Sequence, residues 1–254
     1  MDYLNNLNEK QRKAAKHTEG PLLILAGAGS GKTSTMTRRI AYMIREQGIS
    51  PYQILAVTFT NKAAREMRDR VESLVGTGLN MWITTFHSAC LRILRMNADR
   101  LGYTKDFTIY DPVDQKAGIK AENADDKIFT PNYVLGIISD AKEHGIDSRE
   151  FAENADGYKE KITAKLYRDY EETLKKNNAM DFDDLIWRTV QLFEKDAEVL
   201  DYYREKFRYI MVDEYQDTNY MQYRIIRLLA EKHRNICVVG DDDQCIYQWR
   251  GADI

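Results

Sequence analysis

Ala26-Gly27-Ala28-Gly29-Ser30-Gly31-Lys32-Thr33 follows the apolar run Leu22–Ala26 and opens a helical stretch over Thr33–Glu46. This order of strand, glycine-rich turn and helix is a P-loop. The glycines let the backbone turn its N–H groups inward around a β-phosphate, and the helix N-terminus adds its dipole. Lys32 is then placed to reach the β- and γ-phosphates of a nucleotide, and the Thr33 hydroxyl to ligate Mg²⁺. Ala28, Gly29, Ser30 and Gly31, with Ser34 just beyond, complete the expected nucleotide cradle.

Working outward, three more short apolar runs occur at Ile54–Val57, Tyr209–Val212 and Ile236–Val239. None alternates with polar residues, so all four runs read as strands buried on both faces, which is the pattern of a parallel sheet. Thr33–Glu46 and Asn61–Leu74 are long enough to be crossover helices. The predicted fold class is α/β, a parallel sheet with helices on both faces. From Asp111-Pro112, a cap and first-turn pair, to about Asn178 the patterns are helical, with no buried strand. Tyr158, Ile162, Leu166, Tyr170 and Leu174 recur every four residues and predict a long helix with one apolar stripe. Residues 111–181 are therefore expected to form an all-helical insertion, with 1–110 and 182–254 making the α/β domain.

Composition excludes several classes. The 254 residues are 43% hydrophobic and 30% charged, which suits a packed core and not a disordered or collagenous chain. No apolar run approaches the length needed to span a bilayer, and the first residues lack a secretory pattern, so a cytoplasmic protein with no membrane partner is expected. Cys90, Cys237 and Cys245 are too few and too irregular for a disulfide framework, and His17, His87, His144 and His233 stand singly. Residues 1–108 carry 16 Lys+Arg against 9 Asp+Glu, whereas 109–183 carry 11 against 17 and 184–254 carry 10 against 14. A basic first segment in a chain of net charge −3 suggests a local anionic partner, with solvated helix faces as the plainer alternative.

Two further segments carry chemistry. Asp213-Glu214-Tyr215-Gln216-Asp217 leaves the Tyr209–Val212 strand at the edge where open parallel sheets bind ligands. Successive residues diverge there, so Asp213 is expected to hold Mg²⁺ while Glu214 faces an attacking water as general base. A P-loop kinase must exclude that water, so the adjacent Glu argues for hydrolysis. Gly240-Asp241-Asp242-Asp243-Gln244-Cys245-Ile246-Tyr247-Gln248-Trp249-Arg250-Gly251 follows the last strand. Gln244 suits a γ-phosphate or its attacking water, and Tyr247 and Trp249 suit base stacking, worth roughly 1–3 kcal/mol per base.

Together with Leu7-Asn8-Glu9-Lys10-Gln11, Ala56–Ala64 and Thr85-Phe86-His87, these blocks closely resemble the N-terminal half of UvrD/PcrA/Rep-type superfamily 1 DNA helicases, in order and spacing across the whole chain. The resemblance implies a RecA-like domain interrupted by a helical subdomain, and ATP-driven 3′-to-5′ movement on single-stranded DNA in repair or replication. By position, Gln11 resembles the family's adenine-pairing glutamine. Phe59, Asn61, Thr85, His87, Tyr247 and Trp249 match single-strand contacts, and Arg250 matches an arginine linking the DNA loop to the ATP site. The chain departs from the family at Ser34, where relatives often carry an arginine that contacts the nucleotide, and at Cys245, a frequent serine. It stops at Gly251-Ala252-Asp253-Ile254, before the family's second RecA-like domain, so a piece of a longer protein is expected, slow to turn over ATP when alone. The partners implied are single-stranded DNA, strand junctions and that second domain. A helicase–nuclease subunit, a nucleotide-gated DNA-binding module without turnover, and a P-loop ATPase that acts on no nucleic acid stay open as alternatives.

Overall fold

The computed structural model describes residues 3–27, 29–119 and 128–241. Its strands are β1 (Leu22–Leu25), β2 (Ile54–Thr58), β3 (Trp82–Thr85), β4 (Thr108–Ile109), β5 (Ala179–Met180), β6 (Tyr209–Val212) and β7 (Ile236–Gly240). Its helices are α1 (Glu9–Lys16), α2 (Lys32–Arg45), α3 (Asn61–Val75), α4 (Phe86–Asn97), α5 (Pro112–Gly118), α6 (Pro131–Glu143), α7 (Ser148–Glu153), α8 (Tyr158–Lys176), α9 (Phe182–Lys195), α10 (Ala197–Lys206) and α11 (Tyr220–Ala230). The chain divides into two compact units, one built from residues up to Ala89 and from Ala197 onward, the other from Cys90–Asp196. Among the described residues no helix is long and apolar enough to cross a membrane.

The first unit is α/β, as its sequence predicts. Five parallel strands lie in the order β1-β7-β6-β2-β3. Interior strand β2 is buried at all five positions, which is why Ile-Leu-Ala-Val-Thr shows no polar alternation. Ile54 and Ala56 face a core made with Met36, Ile40 and Met43 of α2 and Met67 and Val71 of α3. Leu55 and Val57 point to the opposite face, where α11 lies against β6. There Trp82 meets Phe207 edge-on at 5.0 Å, and Phe207 stacks on Tyr203 at 5.7 Å. Strand β1 departs furthest from burial on both faces. It sits at the sheet edge, with Leu22 and Ile24 on the core while Leu23 and Leu25 are 48% and 47% exposed. Strand β3 went unread because Trp-Ile-Thr-Thr is short and ends in polar residues.

Among its described residues the second unit is helical apart from the two-residue parallel pair β4–β5. It is wider than 111–181 at both ends. The β4–β5 pairing joins Thr108 and Ile109 to Ala179 and Met180, and a Cys90–Thr189 hydrogen bond joins α4 to α9. Its core unites Phe129, Val134 and Ile138 with Leu166, Tyr167, Tyr170 and Leu174 of α8. Asp111 caps α5 and Pro112 opens it, as expected. The apolar stripe of α8 is corrected at its start, because Tyr158 is 75% exposed. A four-residue repeat drifts by about 40° per step around a helix of 3.6 residues per turn, so the far end of such a stripe rotates off the core.

Candidate functional site

Parallel pairing places the carboxyl ends of all five strands on one edge of the sheet. There β1 runs into the P-loop, β7 into Asp241, β6 into Asp213 and Glu214, and β2 into Phe59 and Thr60. The β1–β7 pairing continues past the strand, Ala26 N–H donating to the Gly240 carbonyl at 3.1 Å. Between these ends opens a cleft of about 690 Å³, lined by Gly29, Gly31, Lys32, Thr33 and Ser34 on one side and Glu214, Asp217 and Asp241 on another. Thr58, Phe59, Thr60, Ala63 and Arg70 complete the lining. Its size lies within the usual roughly 300–1,000 Å³ of small-molecule sites.

The P-loop is shaped to receive an anion. Gly29 and Gly31 adopt left-handed φ of 76° and 86°, which a side chain would strain. Gly31 is the N-cap of α2, where no side chain caps the helix and no acid stands in the first turn, so backbone N–H groups remain for a ligand. Arg38, one turn after Ser34 on α2, donates to the Ser34 hydroxyl. Helix α1 is fixed over this loop by Arg39, whose buried guanidinium donates to the Ala14 and Thr18 carbonyls at 3.1 and 3.3 Å. Gln11 lies on α1 with both ends of its amide occupied. Its Oε1 accepts Asn8 N–H at 3.0 Å, and its Nε2 donates to the Ser30 carbonyl at 2.9 Å. The amide is thus tied both to its own helix cap and to the P-loop.

The acidic side is held under strain. Glu214 has φ 51° and ψ 46°, a left-handed backbone at a non-glycine residue that only its surroundings maintain. Its N–H donates to Asp213 Oδ1 at 3.2 Å, and Gln216 Nε2 donates to its Oε2 at 2.7 Å. Lys32 Nζ stands 3.0 Å from Asp241 Oδ2 and 3.9 Å from Glu214 Oε2. The Thr33 hydroxyl donates to the Asp213 carboxyl. This all-oxygen pair suits a hard cation such as Mg²⁺, which takes one or two carboxylates and completes its shell with waters and phosphate oxygens.

Burial, with the Glu214 charge beside it, pushes the Asp213 carboxyl up to about 6. Its folded value thus lies above the unfolded one, so the stability linked to its proton is present below about pH 4 and lost as pH rises through about 6. Asp213→Asn should therefore leave the ligand-free chain close to wild type at pH 4 and more stable by about 2–3 kcal/mol at pH 7.5. Urea unfolding at both pH values checks this, and a gap that does not grow with pH would acquit the carboxyl.

The remaining expected residues are more scattered. Phe59 is half-buried, its ring edge-on to Phe86 at 5.9 Å. Asn61 opens α3 and is exposed, behind the cap Thr60. Thr85 is buried, and its hydroxyl joins Ser88 in capping α4. Burial pushes the His87 imidazole down to about 4, so it is neutral at physiological pH. Ala28, Gln244, Tyr247, Trp249 and Arg250, with Cys245, lie outside the described residues. Sequence reasoning gives no individual role to Asp241 or Gln216 and leaves Arg70 among the helix-face charges of α3. Gln216 and Asp241 sit inside the quoted motifs, but what gives them roles is the placing of β7 between β1 and β6, which no local pattern records.

Residues 7–254 match the family model of the UvrD/REP helicase N-terminal domain. The chain is 52% identical over 264 residues to the ATP-dependent DNA helicase PcrA of Bacillus subtilis, which covers 100% of this chain and 36% of that protein. It is 54% identical over 256 residues to the protein of the same name from Staphylococcus aureus, covering 99% of this chain and 35% of the relative. The chain thus spans about a third of the length of the curated relatives it matches.

Proposed function

The chain belongs to the UvrD/REP helicase N-terminal domain family, and on that footing we propose that it is the ATP-binding part of a DNA helicase that moves 3′-to-5′ on single strands and opens strand junctions. The observation that carries the reading is a cleft lined by Lys32, Thr33 and Glu214, with the Thr33 hydroxyl bonded to the Asp213 carboxyl. The P-loop backbone and Lys32 hold the phosphates. Thr33 and Asp213 would hold Mg²⁺, which when bound neutralises charge on the β- and γ-oxygens. Glu214 takes the proton of the attacking water, and Gln244 orients that water. Transition-state arginines come from a second RecA-like domain of the same polypeptide.

Phe59 and Asn61 follow β2, and Thr85 and His87 join β3 to α4, on the side of the sheet away from β1. With Tyr247 and Trp249 they form the single-strand contact in this reading, and Arg250 ties it to the ATP site. The setting is the cytoplasm, in keeping with the free buried thiols Cys90 and Cys237.

The test is steady-state Mg-ATP hydrolysis with and without a single-stranded oligonucleotide. The oligonucleotide should raise turnover, and Lys32→Ala should lower it by about two orders of magnitude, the effect of removing one preorganised donor. Hydrolysis indifferent to both DNA and Lys32 would refute the proposal.

A further inference from the structure

Lys32 lines the cleft but is already paired there. Its side chain is 10% exposed, with Asp241 Oδ2 at 3.0 Å and Glu214 Oε2 at 3.9 Å. Asp241 is itself 1% exposed, so water cannot take the cation's place around its carboxylate. A third residue closes the arrangement into a ring. Gln216 Oε1 accepts the backbone N–H of Asp241 at 3.3 Å, while Gln216 Nε2 donates to Glu214 Oε2 at 2.7 Å.

We propose that Asp241, held in place by Gln216, is a resident counter-ion for Lys32 that the phosphates of an incoming nucleotide must displace. The inference rests on the nucleotide-site reading above and assigns Gln216 and Asp241 as positioning residues within it. A carboxylate oxygen at 3.0 Å offers the ammonium the same kind of ligand as a phosphate oxygen. Without nucleotide, removing the carboxylate would leave a nearly buried cation uncompensated. With nucleotide, Asp241 loses its cation and stands as a buried negative charge beside others of the same sign, so it is driven off. Because its backbone N–H is tied to Gln216, and Gln216 to Glu214, the exchange at Lys32 also disturbs the residue that faces the water. A ligand's apparent affinity falls by the fraction of sites in the receptive state, so the latch weakens binding to the empty site.

Titration of the chain with fluorescent mant-ADP and Mg²⁺, at fixed salt, tests this. Asp241→Asn should lower Kd by about tenfold, since removing the competitor restores the receptive fraction. Gln216→Met changes no charge but frees Asp241 to move, and should lower Kd by about threefold. Asp241→Asn with no gain in affinity overturns the latch. Gain in Asp241→Asn with none in Gln216→Met also overturns it, because simple repulsion of phosphates needs no bridge. Binding that appears only in Asp241→Asn is the latch at its strongest, whereas binding by none of the three proteins strikes the nucleotide site itself.

Discussion

Glu214→Gln should reduce ATP turnover by about three orders of magnitude, within the 10²–10⁴ that a positioned base contributes, while nucleotide binding stays within about threefold of wild type. The reasoning is geometric. The left-handed backbone at residue 214 fixes the direction in which the side chain leaves the strand, and glutamine keeps the same length and shape. The Gln216 amide can still donate to an oxygen at that position, so the ring around Lys32 survives the change. What is lost is the ability to take a proton from water. The phosphates lose nothing, because Lys32 keeps Asp241 as its closer partner before nucleotide arrives and loses one distant carboxylate at 3.9 Å. Single-turnover hydrolysis beside a mant-ADP titration separates the two effects. Turnover at the wild-type rate would remove Glu214 as the base, and lost binding would make it a structural member of the cleft.

Much of this site was legible because it is written in contiguous segments. Gly27–Thr33 states its own backbone requirement, and Asp213-Glu214 sits where an apolar run ends, so strand, turn and acid are read together. The latch was not legible. Lys32 and Asp241 are distant in sequence and meet because β7 lies beside β1, and strand order leaves no trace in local hydrophobicity. The same reason hides the Gln216 bridge, although Gln216 itself lies in a motif already singled out. Edge position explains β1, since Leu22–Leu25 is as apolar as a central strand, yet Leu23 and Leu25 are half exposed. In the helical unit, periodicity found α8, but the two-residue β4–β5 pair that widens the unit is too short to show any period.

The largest expected loss of stability lies in the second unit, at Lys142. This side chain is fully buried in the second unit, with Asp181 Oδ2 at 2.6 Å and Asp184 Oδ1 at 3.1 Å. The network continues through Arg188, 3.2 Å from Asp184 and 3.0 Å from Glu171, and through the Tyr170 hydroxyl, which donates to Asp181 at 3.1 Å. It ties α6, α8 and α9 together at the capping box where Asp181 and Asp184 begin α9. Burial alone would raise the Asp184 carboxyl, but Lys142 and Arg188 hold it below the usual range. Burial, with Asp184 beside it, pushes Asp181 up to about 6 even with the lysine present. Lys142→Met should therefore destabilise the unit by about 3–5 kcal/mol at pH 7.5, the effect of leaving buried charge unpaired. Asp184 keeps Arg188, so Asp181 carries most of the loss, and Lys142→Met with Asp181→Asn should recover much of it. Asp181 titrates above its unfolded value, so protonation favours the folded state, and the deficit of Lys142→Met should shrink as pH falls from 7.5 towards 5. Urea unfolding of the single and double variants at both pH values decides the matter. A deficit indifferent to pH and to Asp181→Asn would mean that Lys142 acts through the packing of its alkyl chain and not through its charge.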